Sequence, residues 1–198
     1  MDGYNFPSPD WFSHNIASWQ EIFREAGAPR SILEIGAYEG RSTVWMAEHL
    51  LAAGGEIVVV DHWRGSATHD PAEMPAVEAR FDANLEQLRR RVPAARLVKV
   101  KAPSAQALPR LLADGRAGSF DFVYVDGSHE APDVLTDAVL AYPLLRTGGL
   151  VAFDDYGWRR FADVNENPKA AVDAFANVFW KKLALISAGY QAIFRKLG

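Results

Sequence analysis

Two acidic clusters and a histidine have the types and spacing to do chemistry. Asp126-Gly127-Ser128-His129 follows the apolar run FDFVYV, and Asp154-Asp155 follows GGLVAF. If the two runs are neighbouring strands, three carboxylates meet at their carboxyl ends. Like charges crowded in a cleft repel unless a cation neutralises them. All-oxygen ligation suits Mg2+, Ca2+ or Mn2+. His129, three positions beyond Asp126, adds a base whose ordinary pKa of about 6.5 suits neutral pH. The plainer use of these residues is local. Asp154 and Asp155 would cap or solvate a loop, and His129 would help open the helix before Pro132.

The second constellation is ILEIGAYEGRSTVWM, residues 32–46. Gly36 and Gly40 allow a sharp turn and close approach to a ligand. Ser42 and Thr43 suit the first turn of a helix, whose open N–H groups attract an anionic group. Glu34 stands at a strand's carboxyl end, where open α/β sheets bind ligands. Asp61 ends the next apolar run, about twenty positions past the turn, where a ribose diol is held. Together these make a nucleotide or nucleoside site. A dinucleotide fingerprint needs G-x-G-x-x-G, whose middle glycine admits a pyrophosphate. Here Tyr38 fills that space between Ala37 and Glu39, and Glu39 would repel the pyrophosphate, so NAD is not the expected ligand.

The order E-x-G-x-x-x-G in LEIGAYEGRS resembles motif I of the class I S-adenosylmethionine-dependent methyltransferases. It is most similar to the glycine motif of catechol O-methyltransferase and its relatives. That resemblance implies S-adenosylmethionine as cofactor, with Asp61 on the ribose. Glu34 and the turn of Gly36, Ala37, Tyr38, Gly40 and Ser42 would hold the methionine end. His62 and Trp63 would wall the adenosine, unless Trp63 simply closes the sheet end. Ser104 matches a serine that bonds the adenine in catechol O-methyltransferase-like proteins, and it can also cap the next helix. Asp126, Asp154 and Asp155 resemble the metal site of metal-dependent O-methyltransferases, which implies Mg2+ or another divalent cation. Asp126 would face both cofactor and acceptor. The catechol enzymes have Asp-Asn where this chain has Asp154-Asp155, and a lysine base where it has His129. Sugar and natural-product relatives come closer on both counts.

The implied activity is metal-assisted O-methylation of a small-molecule hydroxyl, with His129 and Asp126 at the reacting centre. Two alternatives stay open: a metal-independent N-methyltransferase, and a non-catalytic adenosyl-binding module.

The elements that must position these residues alternate along the chain. Strands are expected at 31–35, 56–60, 96–100, 120–125 and 149–153, with helices reaching to 53 and over 76–91, 104–113 and 132–142. Apolar strands between helices point to a parallel sheet buried on both faces. A helix at 168–179 precedes strands at 182–187 and 190–196, joined through Ala188-Gly189. So short a linker makes a hairpin rather than a crossover. The result is α/β, a Rossmann-like doubly wound, mostly parallel seven-stranded sheet with a C-terminal antiparallel hairpin strand, as in the class I methyltransferase fold. Residues 1–30 read as an arm and a helix capped by Asp10, with Trp11, Ile16, Trp19, Ile22 and Phe23 as core on the sheet edge or one site wall. Residues 31–198 read as the rest of a single domain. The stretch from Tyr156 to Phe161 is a candidate lid or dimer contact.

The bulk properties agree. The 198 residues, 49% hydrophobic and 23% charged, can bury a sizeable core. A net charge of −4 without a basic run argues against nucleic acid as partner. The absence of cysteine removes disulfides, thiolate metal sites and a thiol nucleophile. No apolar run approaches the ~20 residues of a membrane span, and no signal peptide is visible. A cytoplasmic protein acting on a hydroxylated small molecule is expected. Its oligomeric state is open, a homo-oligomer included.

Overall fold

The computed structural model describes residues 3–66 and 69–198. The first two residues of the expected arm, and positions 67 and 68 of the polar loop ahead of Met74, lie outside the described residues. Seven strands form one sheet in the order β3-β2-β1-β4-β5-β7-β6. They are β1 Ser31–Ile35, β2 Glu56–Asp61, β3 Arg96–Lys101, β4 Phe120–Val125, β5 Leu145–Phe153, β6 Leu183–Ala188 and β7 Ala192–Lys196. β1 to β5 are parallel, and β7 runs antiparallel to both β5 and β6.

Alternation along each strand makes two cores. Ile32, Ile57, Val59, Phe122 and Tyr124 face one side. Leu33, Ile35, Val58, Val60, Val123 and Phe153 face the other. The first is covered by α1 (Ile16–Ala26), α2 (Arg41–Trp45, continued by a π-turn to Leu50) and α3 (Met74–Arg91). The second is covered by α4 (Ser104–Ala113), α5 (Ala131–Ala141) and α6 (Pro168–Val178).

Three local expectations need correction. The first helix starts at Ile16 after a single 3-10 turn, because Asp10 Oδ1 accepts the amides of Phe12 (3.1 Å) and Ser13 (2.8 Å) and caps that turn instead. It lies on the sheet face rather than the edge. The Trp19 ring meets Phe122 and Tyr124 edge-on at 5.1 and 4.9 Å, and its indole N–H donates to Gln191 Oε1 at 2.6 Å. β5 begins at Leu145 rather than 149, because a register shift opposite Phe120–Phe122 accommodates Gly148 and Gly149.

The strand order reverses beside β1, between β2 and β4. Such a switch point opens a crevice beyond the carboxyl ends of the strands. The sheet ladder runs directly into it. Gly36 N bonds Val60 O (2.9 Å), Asp126 N bonds Ile35 O (2.8 Å), and Asp154 N bonds Val125 O (2.9 Å).

Candidate active site

The glycine turn is shaped by contact with its neighbour. A side chain on Gly36 would bring a Cβ to 2.1 Å from the Asp126 carbonyl, and its φ is +84°. Only glycine fits there. Asp61 stitches β2 to this turn. Its Oδ2 accepts the amides of Ala37 (2.9 Å) and Tyr38 (3.2 Å), and its Oδ1 accepts the amide of Trp63 (2.7 Å).

Two cavities adjoin at Gly36, Asp61 and Gly127. One, of about 360 Å³, is walled by Ala37, Tyr38, His69, Trp11 and His14, and reaches Asp126, His129, Asp154 and Asp155. The other, of about 210 Å³, is lined by His62, Ala102, Pro103, Ser104, Ser128 and Asp137. The structure therefore brings Gly36, Ala37, Tyr38, Asp61, His62, Ser104 and Asp126 together around one crevice.

Glu34, Gly40 and Ser42 stand behind this wall, not in it. Glu34 is fully buried and accepts the hydroxyls of Ser42 and Thr43. Burial pushes its carboxyl up to about 7, although the two hydroxyls pull it down. Its task is to tie β1 to the first turn of α2. Gly40 packs against Phe81, whose ring a Cβ would meet at 2.9 Å. Trp63 also turns inward. Its ring packs on Phe81 at 4.7 Å and under the Lys99 ammonium at 4.3 Å, and its Nε1 donates to Tyr38 O at 2.9 Å. It supports the turn from beneath and lines neither cavity, which agrees with the alternative that it closes the sheet end, while His62 lines both. Glu39 is buried against Arg80 (2.6 Å) and Ser8 (3.0 Å). Its charge is neutralised outside the cavity, so repulsion of a pyrophosphate cannot be credited to it; Tyr38 alone fills that space.

The acidic cluster forms around Tyr124. The buried hydroxyl donates to Asp154 and lies 3.0 Å from Asp126 Oδ2. One O–H cannot serve two carboxylates fully. Asp126 opens into the cavity, and desolvation there with repulsion from Asp154 and Asp155 holds its carboxyl well above the usual range. Burial and the Asp155 charge raise Asp154 to about 6. Asp155, at φ +56°, accepts the Tyr190 hydroxyl on Oδ1 (2.7 Å), and its Oδ2 lies 2.9 Å from His129 Nε2. The His129 ring stacks on Trp158 at 4.7 Å.

The expected metal set of Asp126, Asp154 and Asp155 is thus adjacent but not converged. Among the described residues no three acidic or histidine side chains are gathered as ligands of one ion. Tyr124 stands between two of the carboxylates, and His129 and Tyr190 engage the third.

A family model described as a methyltransferase domain matches residues 33–156. The chain belongs to this methyltransferase domain family. The O-methyltransferase hkm8 of Aspergillus hancockii is 28% identical over 138 residues, 70% of this chain. The chain covers 47% of that protein, about half the length of the curated relative it matches. An O-methyltransferase from Bacillus cereus, solved in complex with SAH, superposes with a TM-score of 0.69 at 17% identity, over 97% of this chain and 84% of that one. The MycE methyltransferase of mycinamycin biosynthesis, solved with Mg, SAH and mycinamycin VI, gives 0.64 at 19% identity, over 96% and 51%. Likenesses this distant establish the fold.

The matched span divides the site. The glycine turn, Asp61, Ser104, the three aspartates and His129 lie within the methyltransferase domain match. Trp11, His14, Trp158, Arg160 and Tyr190, which also line the larger cavity, lie outside it.

Sequence reasoning missed Tyr124, Tyr190 and Asp137, and left His14 and His69 without a role. For Asp137 a signal existed. It shares the buried helical face of Val134, Ala138 and Ala141, and a carboxylate on such a face needs a reason. Nothing in the spacing pointed to Tyr190, which approaches Asp155 only through the β6–β7 hairpin.

Proposed function

We propose that the chain is an S-adenosylmethionine-dependent methyltransferase acting on a hydroxyl of a small molecule, assisted by a divalent cation such as Mg2+. The observation that carries this reading is the pair of adjoining cavities. One ends on the ribose-type acid Asp61 and Ser104, and the other on Asp126, Asp154, Asp155 and His129. The curated relative's O-methyltransferase activity supports it, as does the binding of Mg and SAH by the MycE neighbour.

The residues present fit the cofactor. The bare Cα of Gly36 lets a ligand approach the turn closely, and Asp61 offers a carboxylate to vicinal hydroxyls at the join of the two cavities. S-adenosylmethionine, when bound, supplies an electrophilic sulfonium methyl. The donor chemistry also fits a cation, because three carboxylates stand next to one another at the carboxyl ends of β4 and β5 and line one cavity. Asp126, Asp154 and Asp155 would hold it, and it would lower the pKa of a hydroxyl beside it.

The chain's own residues do the rest. Tyr38, Trp11 and Trp158 wall the acceptor and exclude water. Holding acceptor oxygen and methyl donor in line removes much of the entropic barrier. His129 takes the acceptor's proton. The Asp155 carboxylate, whose Oδ2 lies beside Nε2, stabilises the imidazolium that results. One observation favours a metal-free variant of the reading: Tyr124 already bridges Asp126 and Asp154.

The test is methyl-donor turnover against a panel of hydroxylated acceptors, with and without EDTA, for the parent and Asp155→Ala. Loss of turnover in both EDTA and the variant, with S-adenosylhomocysteine binding intact, is expected. Full activity under both conditions would remove the cation and leave His129 as sole activator. No binding of S-adenosylhomocysteine would end the methyltransferase reading.

A further inference from the structure

The larger cavity contains a second histidine that the reaction does not use. His69 stands between β2 and α3, and its ring leans on Tyr38 with the centroids 5.2 Å apart. The chain is folded to hold it there. Gly65, at φ +78°, makes room for it, since a Cβ at that position would meet the His69 Cβ at 2.9 Å. The His69 amide donates to Ser66 O at 3.0 Å. In return the Ser66 amide donates to His69 Nδ1 at 3.2 Å, and the Ser66 hydroxyl oxygen stands 2.9 Å from the same nitrogen.

These bonds fix the tautomer. A backbone N–H only donates, so Nδ1 is the acceptor and carries no proton. The proton of the neutral ring is therefore on Nε2. Burial and the neighbouring His129 hold the ring's pKa below its ordinary value, against an opposing pull from Asp61, so the neutral form prevails at neutral pH. With one nitrogen engaged and the other protonated, His69 is a fixed hydrogen-bond donor and no rival to His129 as base. Its Nε2 has no partner among the described residues, and it is not sealed off. The buried unpartnered atoms among those residues belong to Asn15, Asp137, Tyr142 and Gln191. Asp61 and His62 line both cavities, whereas His69 lines only the larger, the one that holds His129. An acceptor that covers Nε2 without offering an oxygen leaves a donor unsatisfied, which is costly.

We propose that His69 donates its Nε2–H to a carbonyl or carboxylate oxygen of the methyl acceptor, which is therefore a hydroxyl compound bearing such an oxygen. The proposal rests on the S-adenosylmethionine reading above and adds to it the residue that selects the acceptor.

Methyl-transfer kinetics on the full chain with matched acceptors test it: salicylaldehyde against ortho-cresol, protocatechuate against para-methylcatechol, and glucuronate against xylose. A site built to bond a polar group rejects the analogue that lacks it. In at least one pair the parent's kcat/KM should favour the carbonyl or carboxylate member by about tenfold or more. His69→Phe keeps a ring against Tyr38 and removes the donor. It should bring that ratio within about threefold by raising KM for the oxygen-bearing member, with kcat and calorimetric S-adenosylhomocysteine affinity within about twofold of the parent. His69→Gln, which offers an amide N–H, should recover part of the ratio. A parent ratio near unity in every pair overturns the proposal without any variant being needed. So does a ratio unchanged in His69→Phe, whether both members lose equally because the ring is only a wall, or S-adenosylhomocysteine affinity falls because the N–H serves the cofactor's carboxylate. A parent that binds S-adenosylhomocysteine but turns over none of the six compounds overturns the acceptor class named here and leaves the methyltransferase reading standing. A parent that does not bind S-adenosylhomocysteine overturns that reading as well, which separates the two failures.

Discussion

At the scale of single residues, Asp61 has two tasks that one substitution would expose. Its carboxylate holds the amides of Ala37, Tyr38 and Trp63, and it lines both cavities. Asp61→Ala removes a charge-assisted acceptor and leaves the turn's amides without their partner. Loss of about 1.5–3 kcal/mol in S-adenosylhomocysteine affinity is expected by calorimetry. Undiminished binding would move the ribose elsewhere. His129→Ala should behave oppositely, sparing that affinity while lowering kcat by about 10²–10⁴-fold in single-turnover methyl transfer. A silent variant would take the base role away from His129. What the sequence discloses at this scale is position along the chain, not side-chain direction. Glu34, Asp61 and Asp126 were all legible as groups at strand ends. Only packing shows that Glu34 points back into α2 while Asp61 and Asp126 meet the crevice. Trp63 likewise had two readings open, and only packing shows its ring against Phe81.

At the scale of elements, the β1–turn–α2 unit depends on the buried Glu34 and the hydroxyls of Ser42 and Thr43. Burial raises this carboxyl from 4.5 to about 7 in the folded chain. Between those values the folded state holds the proton and the unfolded state has released it. The stabilisation is therefore complete below the lower value and lost as pH rises through the higher one. Asp137 and Asp154, each raised to about 6, act in the same direction. Glu34→Gln, which cannot ionise, should flatten the fall in melting temperature between about pH 4.5 and pH 7, an effect of at most about 3 kcal/mol. An identical slope in parent and variant would mean that Glu34 keeps an ordinary carboxyl. The strands themselves were readable, because runs such as IVVV and FDFVYV are buried on both faces and allow little else. The position of α1 was not, since an amphipathic helix carries no mark of which strand it will cover.

At the scale of the whole molecule, the N-terminal segment is part of the site and the core rather than an appendage. Trp19 of α1 lies against β4 and bonds Gln191 ahead of β7, joining distant parts of the chain. Ahead of it, the arm is fastened to the methyltransferase domain. Asn84 bonds both the amide and the carbonyl of Asn5, at 2.8 and 3.0 Å, and Arg41 reaches the carbonyls of Phe6 and Ser8. Trp11 then tilts against Tyr38 at 5.5 Å and walls the larger cavity. None of this touches the smaller cavity, where Asp61 and Ser104 stand. A chain starting at Phe12 keeps the residues that pack on Trp19 and loses this fastening, the Trp11 wall, the Asp10 acceptor for Phe12 and Ser13, and the Ser8 bond to Glu39. It should hold S-adenosylhomocysteine within about threefold of the parent, and KM for the acceptor should rise by about tenfold as the cavity opens to water. The variant Trp11→Ala should reproduce part of the KM effect without unfastening the arm. Equal loss of cofactor affinity and acceptor KM would instead show that the arm supports the glycine turn through Tyr38 and Glu39, and that acceptor and cofactor share one wall.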